Sequence, residues 1–370
     1  MNSAYLSFVL LGFFLEMHLV FVNVIIGAAI LTVVVRYLAY RRNDERLDGL
    51  ARDMFRLMVA TDLFAGVWAT ILTVYMASAF PSMTAIFTRA DFYPIAIALV
   101  GIVASIPLIA AYWHLWGRIG PRAHSALGIP LAASVLLVPI GFRYLFAELN
   151  NPQFLNPGFE PIDAFANPLY PPLIAHTIIG AVDIGAFVLA AVLVARKEAG
   201  LEGIKMSLGV GLALLVPQAV AGGYYFAVLE RYDPYIAANI AGPLLGYDPP
   251  SALFYPAFYA VLALVVALGA VALYAFYEAL RGRVAKLATV AAGVLAEAVM
   301  VLMEYVNDGA RYPYMFVSGG GGIPVAQLVN QLIEMPPATI YTALASTLFF
   351  TALFSIAFYY AVVRRLLPED

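Results

Sequence analysis

Residues 5–35 read YLSFVLLGFFLEMHLVFVNVIIGAAILTVVV, an apolar stretch interrupted only by Glu16 and His18 as acidic, basic or histidine side chains. About 20 residues of helix cross roughly 30 Å of hydrocarbon, so this stretch is long enough to span a membrane. We therefore expect an all-α integral membrane protein with nine transmembrane helices, and interpret residues 1–370 as a single nine-helix membrane domain. Eight further apolar segments repeat the pattern, at 54–78, 93–117, 124–147, 172–195, 204–228, 252–278, 285–305 and 338–363.

Positive charge is concentrated in alternate gaps between these segments. The gaps after the first, third, fifth and seventh segments, together with the C-terminal end, carry 16 of the 20 Lys and Arg residues. Cytoplasmic loops of membrane proteins are enriched in Lys and Arg. We therefore expect the N-terminus outside the cell and the C-terminus in the cytoplasm. The four remaining basic residues are Arg89, Arg143, Arg231 and Arg311.

Composition excludes several classes of function. The chain is 63% hydrophobic and 12% charged, which a soluble domain could not bury, and its net charge of −3 argues against nucleic acid as a partner. The absence of cysteine excludes disulfides, thiolate catalysis and iron–sulfur ligation. Asn and Gln are scarce, at 14 of 370 residues, which suggests a thermophilic source.

Ionisable side chains inside the predicted spans are candidates for function, because charge at bilayer depth is costly. We interpret His114 and His124, near predicted cytoplasmic helix ends, as interfacial residues. The acidic and histidine candidates at or near the depth of the spans are Glu16, His18, Asp62, His114, His176, Asp183, Glu297, Glu304 and Asp308.

His176 stands out among the histidines. It follows Pro171-Pro172 at the start of the fifth span, and Gly180 and Asp183 lie on the same helix face at i+4 and i+7. A nearby glycine gives a flat cofactor room, and a neutral imidazole is a strong axial ligand for haem iron. A hydrogen-bonded structural histidine is the alternative. His18 lies in an aromatic and aliphatic stretch that suits either a haem or a tightly packed helix.

Over nearly its whole length the chain resembles subunit I of the cytochrome bd quinol oxidase family. Four stretches carry the resemblance, and their shared order and placement on the helices make it more specific than any one match. The stretch from Leu6 to Gly27, which contains His18, is similar to the family motif L-S-x(10)-H-F-L-F-V-P-L-T-x-G. The stretch from Asn167 to His176 is similar to the motif P-R-F-L-H. The stretch from Gly203 to Gln218 is similar to G-L-K-I-A…A-P-L-Q, and the stretch from Gly309 to Tyr314 is similar to E-x-G-R-Q-P-W.

The resemblance implies b-type haem as cofactor, in one or more copies, and leaves haem d open. It implies that His18 ligates one haem of the high-spin pair and that His176 ligates the low-spin b haem. Asp308 falls on the ligating glutamate of the fourth motif, and Glu304, one turn earlier, is the other candidate. Arg311 would bind a haem propionate or neutralise Asp308.

Three departures from the family pattern shape the expected role. Residues 254–261 lack the methionine that would be the second ligand of the low-spin haem. Residues 92–116 contain no glutamate, and the quinol loop has shrunk to residues 230–251. We therefore expect a divergent paralogue of the partner-subunit type, in a quinol:oxygen oxidoreductase of a prokaryotic plasma membrane. It would pair with a homologous subunit I or II, and the oxygen-reducing site would lie outside this chain.

Whether quinol binds this chain is left open by the sequence, and two other functions also remain. One is a haem-free structural subunit of the same complex. The other is a proton- or ion-coupled transporter that uses Asp62, Asp183, Glu297 and Glu304, although no inverted repeat is visible.

The charge pattern predicts the topology of the chain directly. A reporter fused after Asp370 should show the activity expected of a cytoplasmic protein. A reporter inserted within residues 148–172 should show the activity expected of an external protein. Paired fusions to alkaline phosphatase and green fluorescent protein measure both positions. The opposite pattern would overturn the assignment.

Overall fold

A computed structural model describes residues 3–194, 200–330 and 336–360. Nine of the helices in these residues are long and apolar enough to cross a membrane, which confirms the predicted number of spans. These nine are every helix named in the next sentence except α3, α8 and α11, which are too short to cross a membrane. The helices are α1 (Ser3–Arg42), α2 (Glu45–Ala79), α3 (Pro81–Ala90), α4 (Phe92–Leu115), α5 (Pro121–Asn150), α6 (Tyr170–Leu193), α7 (Gly200–Tyr232), α8 (Pro234–Ala241), α9 (Tyr255–Leu280), α10 (Lys286–Gly309), α11 (Val325–Leu328) and α12 (Pro337–Tyr359).

Several helices extend beyond the apolar segments that predicted them. α1 continues through Arg42, and α2 begins at Glu45, because the side chain of Asp44 caps it by accepting hydrogen bonds from the backbone N–H groups of Arg46 and Leu47. The apolar composition of a segment predicts the part of the helix that lies in hydrocarbon. It does not predict the polar turns at the two ends of that helix. The basic residues at 196, 197, 364 and 365 lie outside the described residues.

The two ends of the bundle differ in how their helices are connected. We call one the loop end and the other the arginine end. The loop end carries residues 80–91, 151–169, 233–254 and 310–330, and the arginine end carries the short links 43–44, 116–120 and 281–285.

The prediction of an all-α chain is wrong for one segment at the loop end. Strands β1 (Tyr314–Ser318) and β2 (Gly321–Pro324) form an antiparallel hairpin. Gly319 and Gly320 make the turn with φ of 60° and 82°, a region that favours glycine. β1 buries Phe316 against Phe87 and Phe154, with ring centroids 5.6 and 5.1 Å away. Strands as short as these show no extended alternation of apolar and polar residues. The run of glycines was therefore the main indication of a hairpin in the sequence.

α1 lies at the centre of the bundle and packs against α2, α5, α6, α10 and α12. Its closest approach to α6 is at Gly27 and Gly185, where a Cβ atom added to Gly27 would lie 2.7 Å from the Cα of Gly185. Small residues allow helix backbones to meet in this way in membranes, where van der Waals packing holds helices together.

A buried hydrogen-bond network joins four helices at the arginine end. Arg36 pairs with Asp48 at 2.8 Å and donates from Nε to Nδ1 of His124 at 3.1 Å. Nε2 of His124 lies 2.9 Å from the carbonyl oxygen of Tyr112, and Trp116 donates to Asp48 at 3.2 Å. The interpretation of His124 as a residue of the membrane interface stays a prediction. The ring lies at a helix end but is fully buried, because Arg36 from α1 reaches it.

The contact between α1 and α6 can be tested by adding side-chain volume. Gly27→Val should destabilise the protein by about 2 kcal/mol or more, because the backbone of α6 cannot yield to an added side chain. Gly12→Val, on the same helix, is the control, since nothing lies within 4 Å of its Cβ position. Thermal unfolding in detergent measures both. Equal unfolding midpoints for the two variants would contradict the close packing.

Candidate functional site

Polar side chains from α5, α7 and α10 meet at the loop end of the bundle. Arg311, just after α10, pairs with Asp308 at 2.7 Å and donates to Oδ1 of Asn150 at 3.1 Å. The Nδ2 group of Asn150 in turn donates to the hydroxyl of Tyr225 at 3.1 Å. All four residues are buried. We call them, together with Arg143 and Glu304, the polar cluster.

Arg143 and Glu304 form the second ion pair of the polar cluster, at 2.9 Å. Both side chains are largely buried, and the guanidinium of Arg143 also lies 4.7 Å from the ring centre of Phe146. Each arginine therefore faces one carboxylate, and the four charges cancel. Two polar atoms are buried without a partner, Nε of Arg311 and Oε2 of Glu304.

A third carboxyl group reaches the polar cluster from α1. Glu16 lies within electrostatic range of both Asp308 and Glu304. His18, two residues further along, occupies a different face of α1, because residues two apart on a helix do not face the same way. In the described residues no hydrogen bond or ion pair joins His18 to Asp308 or Glu304.

His18 faces α2 instead. Its Nδ1 lies 3.2 Å from the carbonyl oxygen of Ala65, which can only accept, so Nδ1 carries the proton. That hydrogen bond sets the tautomer and leaves the lone pair of Nε2 available. Within the described part of the chain, no hydrogen bond engages Nε2.

His176 lies next to the polar cluster, between α6 and α7. Its Nε2 is 3.4 Å from the Nε2 of Gln218, while Nδ1 is buried without a hydrogen-bond partner. The ring packs against Gly222, where an added Cβ atom would come within 2.9 Å of it. It is nearly parallel to the ring of Tyr225, with centroids 6.4 Å apart. Arg143 and Glu304 both act on it electrostatically.

The structure thus gathers four of the five predicted site residues and separates the fifth. His176, Glu304, Asp308 and Arg311 meet at the loop end, while His18 lies against α2. Of the two roles left open for Arg311, the structure shows the pairing with Asp308.

Three members of the polar cluster, Arg143, Asn150 and Tyr225, were not predicted from the sequence. One signal was present, since Arg143 is a basic residue inside an apolar segment and shares a helix face with Asn150 at i+7. Nothing local marked Tyr225, one of 23 tyrosines.

The two histidines fit axial ligands of a haem. Each is at least half-buried and has one ring nitrogen that no protein group uses, Nε2 in His18 and Nδ1 in His176. The carboxylates fit less well, because Asp308 and Glu304 are already paired with arginines. No group of three His, Cys, Asp or Glu side chains in the described residues could hold a metal ion on its own.

Comparisons with known proteins agree with this architecture. The family model for cytochrome bd terminal oxidase subunit I matches residues 6–244, well over half of the chain. Among solved structures, one chain of the bd oxidase from Geobacillus thermodenitrificans superposes with a TM-score of 0.84 over 98% of both chains, at 18% sequence identity. At that identity the structural likeness shows the fold alone. A comparison with curated proteins found no match.

The pair Arg143–Glu304 can be tested by a double-mutant cycle. Arg143→Met and Glu304→Gln should each destabilise the protein by about 3–5 kcal/mol, because each leaves an unpaired buried charge. The double variant should recover much of that loss, since neither charge remains. The exposed pair Glu202–Lys205, at 3.8 Å, is the control, and the same cycle there should give less than about 1 kcal/mol. Additive effects of Arg143→Met and Glu304→Gln on thermal unfolding would contradict the pairing.

Proposed function

The chain belongs to the cytochrome bd terminal oxidase subunit I family, and from that premise we propose that it binds b-type haem and supports electron transfer from quinol to oxygen. That the chain is a membrane subunit of a cytochrome bd oxidase follows from the family and the fold. The haem and the electron transfer are the proposal.

The observation that carries the proposal is the hydrogen bond between Nδ1 of His18 and the carbonyl oxygen of Ala65. Histidines that bind iron commonly donate their second ring N–H to a carbonyl or carboxylate, which orients the ring and raises the basicity of the ligating nitrogen. The hydrogen bond to Ala65 uses only Nδ1 and leaves Nε2 of this ring available to a ligand.

His176 supports a second haem. Its ring packs against Gly222, where an added Cβ atom would lie 2.9 Å away, and its Nδ1 has no hydrogen-bond partner although it is buried. Gln218 is the neighbour that would set the tautomer, because its amide can either donate to Nε2 of the histidine or accept from it. A haem bound here would supply one-electron chemistry, and the role of the chain would be to hold and orient it.

The arrangement favours a supporting role over that of the oxygen-reducing subunit. On α10, Asp308 and Glu304 are engaged by Arg311 and Arg143 and are not free to ligate iron. α4 contains no glutamate. We therefore place oxygen reduction on a partner, a homologous membrane subunit of the oxidase in a prokaryotic plasma membrane.

One observation favours the second candidate function, a haem-free structural subunit. Both arginines of the polar cluster are neutralised by carboxylates of the same chain, so they have little remaining attraction for haem propionates. In this alternative the polar cluster only holds α5, α7 and α10 together.

Absorption spectra of the purified oxidase separate the two functions. We expect His18→Ala and His176→Ala each to remove the signal of one b-type haem while the protein stays inserted and assembled. His114→Ala is the matched control, because this exposed histidine lies at the arginine end and contacts Arg118. Reduced-minus-oxidised spectra and the haem content by pyridine haemochrome are the measurements. Haem content unchanged in both variants would favour the structural alternative.

A further inference from the structure

A groove between α9 and α10 opens on the outside of the bundle near the arginine end. Its volume is about 670 Å³, within the range of roughly 300–1,000 Å³ that small-molecule sites occupy. The residues that line it include Ala270, Val271 and Tyr274 of α9 and Lys286, Ala288 and Ala291 of α10. Apart from the ammonium group of Lys286 and the hydroxyl of Tyr274, these side chains are apolar.

Small side chains on both helices leave this space open. α9 and α10 pack side by side and are joined by the short link 281–285. Ala270 on α9 and Ala288 and Ala291 on α10 each contribute only a methyl group to the groove. Ala291 lies five residues beyond Lys286, so the groove runs about 8 Å along α10 towards the middle of the bundle.

Only one end of the groove is charged, and that charge is positive. Lys286, the first residue of α10, is exposed, and no hydrogen bond or ion pair of its side chain is found in the described part of the chain. In the adjoining link, Arg281 and Arg283 share a single carboxylate, that of Glu278, at 3.8 and 2.8 Å. Two arginines against one glutamate leave one positive charge, and Lys286 adds a second. This end therefore attracts an anion.

Apolar walls with a positive charge at one end match the chemistry of an anionic phospholipid. Basic pockets between the ends of transmembrane helices bind anionic headgroups, and tyrosine is enriched at the level of the headgroups. Tyr274, at the edge of the groove, is 57% exposed. A transmembrane helix of a partner would need contacts along the height of the bundle, whereas this groove covers only the end turns.

We propose that the groove binds an anionic phospholipid, whose phosphate pairs with Lys286 and whose acyl chain lies against Ala270, Ala288 and Ala291. The lipid fills the space between α9 and α10 and so holds the two helices together at the arginine end. The other end of α10 carries Glu304 and Asp308 of the polar cluster. This binding site is independent of the proposed haem binding.

Lipid titrations of the delipidated oxidase, followed by native mass spectrometry, test the charged end of the groove. The wild-type protein should bind phosphatidylglycerol more tightly than phosphatidylcholine. Lys286→Gln should weaken the binding of phosphatidylglycerol about fivefold and leave that of phosphatidylcholine unchanged, since one basic side chain near the lipid headgroup is lost. Lys205→Gln is the control, because Lys205 lies at the same end but pairs with Glu202 on α7.

Filling the groove tests the apolar part of the site. Ala291→Phe should weaken the binding of phosphatidylglycerol about tenfold or more, because the ring takes the place of at least two methylene groups of the acyl chain. Val290→Phe, on the same helix but outside the lining, should bind as the wild type does. Lys286 is exposed, so Lys286→Gln keeps the test decisive if Ala291→Phe fails to fold.

Three outcomes would overturn the proposal. One is equal affinity of the wild-type protein for the two lipids. Another is an affinity for phosphatidylglycerol that is unchanged in Lys286→Gln, which is the result expected if a partner subunit covers the groove. The third is full displacement of phosphatidylglycerol by inorganic phosphate alone, which would show that the site binds a free anion and that the groove plays no part.

Discussion

A hydrocarbon interior offers no hydrogen-bond partner to a backbone amide or to a charged side chain, and the rest of this structure depends on that constraint. It requires each span to satisfy its backbone as a helix, so irregular backbone is confined to the loop end and to short links at the arginine end. It also favours the pairing of charges that are carried into the bundle. Arg36 is paired with Asp48, Arg143 with Glu304 and Arg311 with Asp308.

The ion pairs divide the bundle into two functional ends. At the arginine end, Arg36 and His124 tie α1, α2, α4 and α5 together through a network in which every ring nitrogen of the histidine is used. At the loop end, Nε of Arg311, Oε2 of Glu304 and Nδ1 of His176 stay buried without hydrogen-bond partners. Unsatisfied buried atoms are costly, and such atoms call for an explanation.

The last turn of α5 makes two sets of polar contacts at the loop end. It presents Glu148 to the segment 151–169 and Asn150 to Arg311, in opposite directions. The polar contacts around α5 and α10 lie within this one chain.

The sequence by itself determined the spans and their number and pointed to most of the candidate residues. The length of an apolar segment and the positions of its flanking charges can be found from the sequence alone. In a membrane, an apolar segment of sufficient length forms a spanning helix. Only the tertiary structure decided that Glu304 belongs to Arg143 and that Glu16 rather than His18 approaches Asp308. These partners lie 161 residues apart in the case of Arg143 and Glu304. Which faces of two helices meet depends on close packing, such as Gly27 against Gly185, and no periodicity along one segment encodes its neighbour.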